Sequence, residues 1–317
     1  MALRLSTHWL WDFWLARSGP EHHLFYLQAP RSLEEEDRRH WHASIGHAIS
    51  TDLRHWEILP DALHPGAAGA WDDLTVWTGS VLQHDGRWWM LYTGVSRREN
   101  GRIQRIGLAT SEDLVRWKRH PGNPLIETDP RWYERGVPEH WHDQAWRDPA
   151  LWRHPTAGTF HAFITARAND GPPRTRGVIA HARSKDLERW EVLPPVTEPC
   201  GRYGQLEVPQ LVEVEGRWLL LFSRSIEYDD PATAAPTTGT NFYVADDPLG
   251  PFPCDREGVL TEDAEGSRYS GKLVMHEGRW WFLAFRNLEG GRFIGELIDP
   301  VPVTFADGRP QVDRPHC

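Results

Sequence analysis

Internal repetition constrains this chain more than any other feature of its sequence. A short word made of a turn and an aromatic-rich apolar run occurs three times, as GRWWMLY at 86–92, GRWLLLF at 216–222 and GRWWFLA at 278–284. Weaker copies occupy 158–164 and 21–27. A turn followed by such a run is typical of a hairpin that leads into a buried strand. The sequence therefore predicts five related β units.

A second word follows the first three units along the chain. It reads STDLRHW at 50–56, SEDLVRW at 111–117 and SKDLERW at 184–190, and a degraded form, ADDPL, occupies 245–249. Asp in this context favours a turn capped by its own side chain. The word predicts the end of one strand, an Asp-capped turn and an outer strand that begins near the Trp. We assign it to the scaffold.

Five units of this kind predict an all-β fold. Small antiparallel sheets repeated around an axis bury their faces without long exposed edges. We therefore predict a five-bladed β-propeller as a single domain over residues 1–317. Only residues 32–39 carry a pattern that would support a turn or two of helix.

Composition narrows the classes of partner. Asp and Glu outnumber Lys and Arg by 45 to 35, which gives a net charge of −10 and disfavours nucleic acid and anionic membrane surfaces as partners. No apolar run approaches the roughly 18 residues of a membrane span, and the N-terminus lacks the pattern of a signal peptide. Three cysteines, Cys200, Cys254 and Cys317, are too few for a disulfide framework or a four-ligand zinc site. We expect a cytoplasmic protein without a metal or another cofactor.

The candidate site lies on the innermost strand of each blade. These strands are predicted to precede the turn-plus-aromatic words, at residues 9–15, 77–82, 147–152, 206–212 and 270–275. Three of them carry an acid at or near their start, at matching positions of the repeat: Asp12, Asp148 and Glu207. Acids within apolar strands are costly unless they are paired or used. Three that converge on one funnel repel one another, so we expect the pKa of at least one to be raised.

Such a set of carboxyl groups indicates glycoside hydrolysis. One acid protonates the leaving oxygen, and a second attacks the anomeric carbon or activates water. Arg147, beside Asp148, is placed to hold a neighbouring carboxylate or a substrate hydroxyl through a forked hydrogen bond. The candidate catalytic residues are therefore Asp12, Asp148 and Glu207.

Several words together resemble glycoside hydrolase family 32, which contains the invertases, levanases and inulinases. They are WLWD at 9–12, HAISTDLRHWE at 47–57, WTGS at 77–80, RDP at 147–149 and EVP at 207–209. The resemblance implies a five-bladed propeller that acts on a furanoside with retention of configuration. It also implies that Asp12 is the nucleophile, Asp148 the transition-state stabiliser and Glu207 the acid/base. Gln28, Trp77 and Arg147 fall where the family binds the glycosyl unit.

The chain departs from the family pattern in three ways. Trp11 precedes Asp12 where the family has Asn, and Phe-Trp-Leu follows where it has Pro-Asn-Gly. Ile45 stands where the family usually has Trp. The sequence given has no counterpart of the β-sandwich that usually follows the propeller. These departures leave two alternatives, an inverting arabinofuranosidase or xylosidase of the related family 43 and a non-hydrolytic propeller that binds glycans or serves as a biosynthetic scaffold.

The remaining candidate substrate contacts come from aromatic and basic residues near the predicted funnel. We expect a small carbohydrate or glycoside as the partner, with Trp faces stacking on sugar rings. The paired words HWH at 40–42 and HWH at 140–142 predict loops at the funnel mouth. Besides Gln28, Trp77 and Arg147, the predicted substrate contacts are Trp9, Trp11, Trp141, His142, Tyr269 and Lys272.

Overall fold

In the computed structural model, which describes residues 3–137 and 139–312, the chain forms five antiparallel sheets arranged as the blades of a β-propeller. Blade 1 contains β1 (His8–Ser18), β2 (Glu21–Pro30), β3 (Ser44–Ser50) and β4 (Glu57–Leu63). Blade 2 contains β5 (Thr75–His84), β6 (Arg87–Val95), β7 (Gln104–Ser111) and β8 (Lys118–Arg119). Blade 3 contains β9 (Trp146–Arg153), β10 (Phe160–Arg167), β11 (Gly177–Ser184) and β12 (Trp190–Leu193).

The last two blades complete the ring. Blade 4 contains β13 (Glu207–Val214), β14 (Arg217–Arg224), β15 (Thr238–Ala245) and β16 (Glu257–Asp263). Blade 5 contains β17 (Arg268–His276), β18 (Arg279–Glu289), β19 (Arg292–Leu297), β20 (Val301–Ala306) and β21 (Arg309–Val312). The innermost strands contact one another in the order β1, β5, β9, β13, β17 and back to β1, so they surround one axis. The predicted five-bladed propeller is confirmed.

Helical structure in the described residues is confined to short segments of one or two turns. Within the described residues it consists of 3₁₀ segments at Arg31–Leu33, Glu36–Trp41, Arg97–Glu99, Pro173–Thr175 and Cys254–Arg256. The first two lie where the sequence predicted a turn or two of helix. None of the helices in this part of the chain has the length and apolar character needed to cross a bilayer.

Tight hairpins explain the repeated Gly-Arg-Trp word. Asp85 and Gly86 have φ angles of 49° and 71°, and Glu277 and Gly278 have 50° and 74°. Two successive positive φ angles are characteristic of the type I′ turn, whose twist matches that of the strands on either side. Gly takes the second position because it adopts positive φ without a steric penalty. The apolar run that follows becomes the second strand of the blade.

The Ser-x-Asp-Leu words form the predicted capped turns. In blade 1, Asp52 Oδ1 accepts hydrogen bonds from the backbone N–H groups of Arg54 and His55, both at 2.8 Å. Asp113 and Asp186 make the equivalent bonds in blades 2 and 3. These side chains satisfy backbone donors that the turn leaves without strand partners. Their role is structural.

Blade 5 closes the ring against blade 1. The backbone N–H of Leu297 donates to Leu3 O at 3.0 Å, and Arg31 Nη2 donates to Ile294 O at 3.1 Å. The rings of Trp9 and Phe293 meet edge to face with their centroids 6.2 Å apart. Contacts between the first and last blades thus complete the cylinder that defines the axis.

Two blades contain the same buried pair of histidines. His23 Nδ1 lies 2.9 Å from His47 Nε2 in blade 1, and His161 Nδ1 lies 2.8 Å from His181 Nε2 in blade 3. A Phe of the same blade stacks on His47 and on His181. Burial lowers the pKa of all four imidazoles, to about 3 for His47 and His181 and about 4 for His161. Each pair is therefore neutral in the folded protein near pH 7.

These pairs predict a loss of stability in mild acid. The unfolded chain binds protons on His near pH 6.5 and the folded chain does not, so the free energy of unfolding falls as the pH drops below about 6.5. We expect each pair to contribute about 2–2.5 kcal/mol to the fall between pH 7 and pH 5.5. Urea unfolding at the two pH values measures this. Replacing His161 and His181 together by Phe should reduce the fall, whereas His64→Ala, at an exposed histidine, should leave it unchanged. An unchanged fall in the double variant would contradict the prediction.

Candidate active site

All five innermost strands are interrupted by a β-bulge at the corresponding place. In blade 1 the register of β1 against β2 shifts between Trp11 and Phe13, and equivalent shifts occur in the other four blades. Four of the bulged residues have a positive φ: 24° for Asp12, 56° for Asp148, 50° for Val208 and 51° for Ser270. In residues other than Gly, such a conformation costs about 1–3 kcal/mol, and residues that adopt it are concentrated at functional sites. A bulge changes the direction in which nearby side chains point. In this fold the five bulges surround the propeller axis.

Glu207 lies one position earlier in this repeat than the two aspartates. It pairs with Ser223 of β14, as Arg147 pairs with Thr165 of β10 and Tyr269 with Phe285 of β18. The prediction of matching positions is therefore right for Asp12 and Asp148 and wrong by one residue for Glu207. Because of this offset, Glu207 lies level with Arg147 and Tyr269 on the neighbouring blades.

The carboxyl group of Asp12 is held by blade 5. Ser270 Oγ donates a short hydrogen bond to Asp12 Oδ1. Burial among the inner strands, followed by the negative charge of Asp148, raises the pKa of Asp12 to about 7, and the charge of Glu207 acts in the same direction. The expectation of a raised pKa is met, and desolvation contributes more to it than repulsion between the acids.

Asp148 is fixed more rigidly. Its Oδ2 accepts hydrogen bonds from Thr165 Oγ1 at 3.0 Å and from the backbone N–H of Val208 at 3.2 Å. Its own backbone N–H donates to Thr93 Oγ1 at 3.0 Å. Burial raises the pKa of Asp148, and the adjacent Arg147 opposes that rise. A residue whose carboxyl group and backbone are together anchored from three blades suits an orienting role better than one that requires movement.

Both oxygens of Glu207 accept hydrogen bonds. Arg147 Nη2 donates to Oε1 at 2.5 Å, and the hydroxyl of Tyr269 donates a short bond to Oε2. The guanidinium of Arg147 is itself held by Gln205 and by Gln104, whose side-chain oxygens lie 2.5 Å and 3.2 Å from it. The negative charges of the neighbouring acids raise the pKa of Arg147 above its usual value, so the guanidinium remains protonated. Arg147 thus bridges the surroundings of Asp148 and Glu207.

The remaining predicted contacts divide into four groups. Trp9 and Trp11 are 5% and 2% exposed and pack in the core, so the structure gives them a packing role rather than the predicted substrate contact. Gln28 Nε2 donates to Asp61 Oδ2 at 2.8 Å, and Trp77 Nε1 donates to His40 O at 2.7 Å. Each of these two side chains is thus engaged in a hydrogen bond to a neighbouring segment, and their predicted contact with the glycosyl unit stays a prediction.

Trp141 and His142 line an open cavity of about 760 Å³ together with Tyr228 and Arg174. The guanidinium carbon of Arg167 lies 3.5 Å from the centroid of the Trp141 indole ring. This stacking fixes the orientation of the ring. Burial and then the charge of Glu207 raise the pKa of Tyr228. The cavity therefore lies on the Glu207 side of the funnel.

Lys272 does not face the funnel. Its Nζ donates to Val208 O at 2.7 Å and to Pro209 O at 3.2 Å, on the far side of the bulges. A direct contact between Lys272 and a sugar, as predicted, is inconsistent with this position. No three His, Cys, Asp or Glu side chains in the described part of the chain form a group that would hold a metal ion.

Sequence reasoning missed residues that act through other residues. Ser270, Thr165 and Gln205 orient the acids and Arg147, yet each is a common polar residue without a distinctive neighbour in the sequence. His40 was singled out only as a loop residue, and its ring lies 6.0 Å from that of Trp11. The alignment of the five inner strands would have identified Ser270, because it occupies the same repeat position as Asp12 and Asp148.

The sequence is similar to known proteins of one family. Residues 14–248 match the family described as "Glycosyl hydrolases family 32 N-terminal domain". A bifunctional 6(G)-fructosyltransferase/2,1-fructan:2,1-fructan 1-fructosyltransferase of Allium cepa is 28% identical over 226 residues, 67% of this chain and 33% of that protein. A sucrose-6-phosphate hydrolase of Zymomonas mobilis is 28% identical over 215 residues, 64% of this chain and 38% of that protein. The matches thus span about a third of the length of these relatives.

The fold has solved counterparts as well. The structure of an inulosucrase from Halalkalicoccus jeotgali bound to kestose superposes with a TM-score of 0.78 at 24% identity and covers 97% of this chain and 87% of that chain. At this level of identity the likeness concerns the propeller.

Proposed function

This chain belongs to glycosyl hydrolase family 32, and on that premise we propose that it hydrolyses β-fructofuranosides with retention of configuration. The observation that carries the proposal is the meeting of Asp12, Asp148 and Glu207 around one axis, with Arg147 and Tyr269 bonded to Glu207. Glycoside hydrolysis by retention needs a carboxylate nucleophile and a separate acid/base. The relatives named above act on fructosyl compounds, which favours fructose as the transferred unit.

The first step divides the work between Asp12 and Glu207. An oxygen of the Asp12 carboxylate forms a bond to the anomeric carbon of the fructosyl unit while the bond to the leaving oxygen breaks. The electron pair of that bond goes to the leaving oxygen, which takes a proton from Glu207. The product is a fructosyl ester of Asp12 and a free alcohol.

The second step returns the enzyme to its starting state. Glu207 takes a proton from water as the water oxygen attacks the anomeric carbon, and the ester oxygen leaves as the Asp12 carboxylate. Asp148, held from three blades, accepts hydrogen bonds from ring hydroxyls as positive charge develops on the sugar. Arg147 supports this by fixing Glu207 relative to Asp148.

The cavity beside Glu207 supports a second candidate activity, transfer to a sugar. Its volume of about 760 Å³ and its lining by Trp141, His142 and Tyr228 suit a carbohydrate, whose rings stack on aromatic faces. A sugar hydroxyl held there takes the place of water in the second step. The products then contain an additional glycosidic bond instead of free fructose.

A panel of substrates tests the proposal and its alternatives. We expect fructose to be released from sucrose, 1-kestose or a nitrophenyl β-fructofuranoside, and longer fructans to form at high sucrose concentration if transfer competes. Nitrophenyl arabinofuranosides and xylosides are the matched controls and should not react. Turnover of those controls alone would favour the family 43 alternative, and binding without turnover of any glycoside would favour the scaffold alternative. Either outcome contradicts the proposal.

A further inference from the structure

A second cavity lies along the propeller axis beyond the bulges. It has a volume of about 310 Å³ and is lined by the later halves of the innermost strands, including Ser80, Gln210 and Lys272, with Asp148 at its boundary with the candidate site. Asp148 therefore lies between the candidate site and this axial channel. A group fixed in the channel acts on the acids from behind, without touching a substrate in front of them.

Lys272 is such a group. It is 5% exposed, whereas the other two lysines of the chain, Lys118 and Lys185, are exposed. Its ammonium donates to the carbonyl groups of Val208 and Pro209, which form the bulge immediately after Glu207. The N–H of Val208 donates in turn to Asp148. Lys272 thus holds the backbone segment that links the acid/base candidate to Asp148.

The charges that face Lys272 come from two other blades. Asp12 on β1 and Asp148 on β9 favour its protonated form, while burial lowers the pKa of Lys272 to about 8. The effect is reciprocal, because the charge of Lys272 lowers the pKa of Asp12. Asp12 also faces the charges of Asp148 and Glu207, which raise its pKa, and Ser270, which lowers it. Arg39, from the loop after β2, is a further cation close enough to interact with Asp12.

We propose that Lys272 is a positioning residue of the reaction, a buried cation that places positive charge behind Asp12 and Asp148 and fixes the bulge that follows Glu207. The inference rests on the proposed function for its meaning in catalysis. Removing this cation would leave Asp12 in a desolvated site with two other acids, which shifts its equilibrium further toward the protonated form and lowers the fraction that can act as a nucleophile. Lys272 reaches this result from the channel side and makes no contact with the sugar.

Titration of Asp12 tests the inference directly. In protein labelled with ¹³C at Asp carboxyl carbons, the Asp12 resonance is identified by its loss in Asp12→Asn, and its pKa is read by NMR. We expect the pKa of Asp12 to rise above its value of about 7 in Lys272→Met, because an opposite charge that favours the carboxylate is removed. Lys272→Arg, which keeps the charge, should restore most of the original value. Lys185→Met, at an exposed lysine, is the matched control and should change nothing.

Activity gives the second measurement. The acidic limb of the pH profile of kcat/KM, expected near pH 7 in the unaltered protein, should move upward in Lys272→Met by the same amount as the pKa of Asp12. An Asp12 pKa that is the same in Lys272→Met and in the unaltered protein would overturn the inference, even if the variant is less stable. Should the Met variant fail to fold, Lys272→Gln replaces it, since Gln keeps a donor for the two carbonyl groups. The NMR titration requires no substrate, so it remains decisive if the panel of fructosides shows no turnover.

Discussion

Replacing Asp12 by Asn is expected to lower the kcat for fructoside cleavage by about 10⁴-fold or more, because an amide cannot form the ester intermediate. The change is nearly isosteric. Asn also retains a side-chain oxygen that can accept the hydrogen bond from Ser270. The variant should therefore fold normally and still bind substrate. Steady-state kinetics with sucrose or 1-kestose, together with thermal unfolding, measures both effects.

The matched control for Asp12→Asn is Asp113→Asn. Asp113 caps a turn at the outer edge of blade 2, where its Oδ1 accepts hydrogen bonds from the backbone N–H groups of Val115 and Arg116. Its replacement should lower stability slightly and leave kcat unchanged. Comparable losses of activity in the two variants would mean that Asp12 acts through the stability of the fold, which contradicts its role as nucleophile.

Glu207→Ala is expected to show an effect that depends on the leaving group. Sucrose has a poor leaving group that needs a proton, so we expect its cleavage to fall by about 10²–10⁴-fold, the usual contribution of general acid catalysis. A nitrophenyl fructoside needs little protonation, and formation of its ester intermediate should be much less affected. Pre-steady-state release of nitrophenol measures that step separately from the hydrolysis of the ester.

The control for Glu207→Ala removes its partner instead. Tyr269→Phe deletes the hydroxyl group that donates to Glu207 Oε2 and leaves the carboxyl group in place. It should lower activity modestly and to the same extent for both substrates. Equal losses for sucrose and the nitrophenyl fructoside in Glu207→Ala would contradict the assignment of Glu207 as the general acid.

Much of the fold can be predicted because each repeat contains turns whose backbone geometry allows only a few residue types. The Asp-Gly and Glu-Gly turns need positive φ at two successive positions, and the Ser-x-Asp words need an acceptor for free backbone N–H groups. Both requirements restrict residue type strongly, so they leave a visible trace in the sequence. The five copies of the turn-plus-aromatic word, three clear and two weaker, match the five blades.

The sequence predicts which acids are candidates for the site, but it predicts the direction of their side chains less well. Acids within apolar strands are conspicuous, and so Asp12, Asp148 and Glu207 were singled out. The one-residue offset of Glu207, however, depends on where each bulge inserts its extra residue, which is a property of pairing between strands. The same reason accounts for Lys272, whose ammonium the bulge directs into the channel.

The buried tryptophans show a second limit. Trp11 adjoins Asp12 in the sequence, which suggested a sugar contact, but successive side chains of a strand point to opposite faces. Trp11 consequently packs beside Phe293 of blade 5. The cytoplasmic location and the organisation of residues 1–317 as one domain stay predictions.

Trapping of the covalent intermediate tests the central claim most directly. Glu207→Ala, mixed with a nitrophenyl β-fructofuranoside and quenched rapidly, should accumulate the ester because the base for its hydrolysis is missing. We predict that mass spectrometry of peptides from the quenched protein finds one dehydrated fructose on the peptide that contains Asp12. Turnover without any adduct and with inverted configuration of the released fructose, or an adduct on a different residue, would contradict the account.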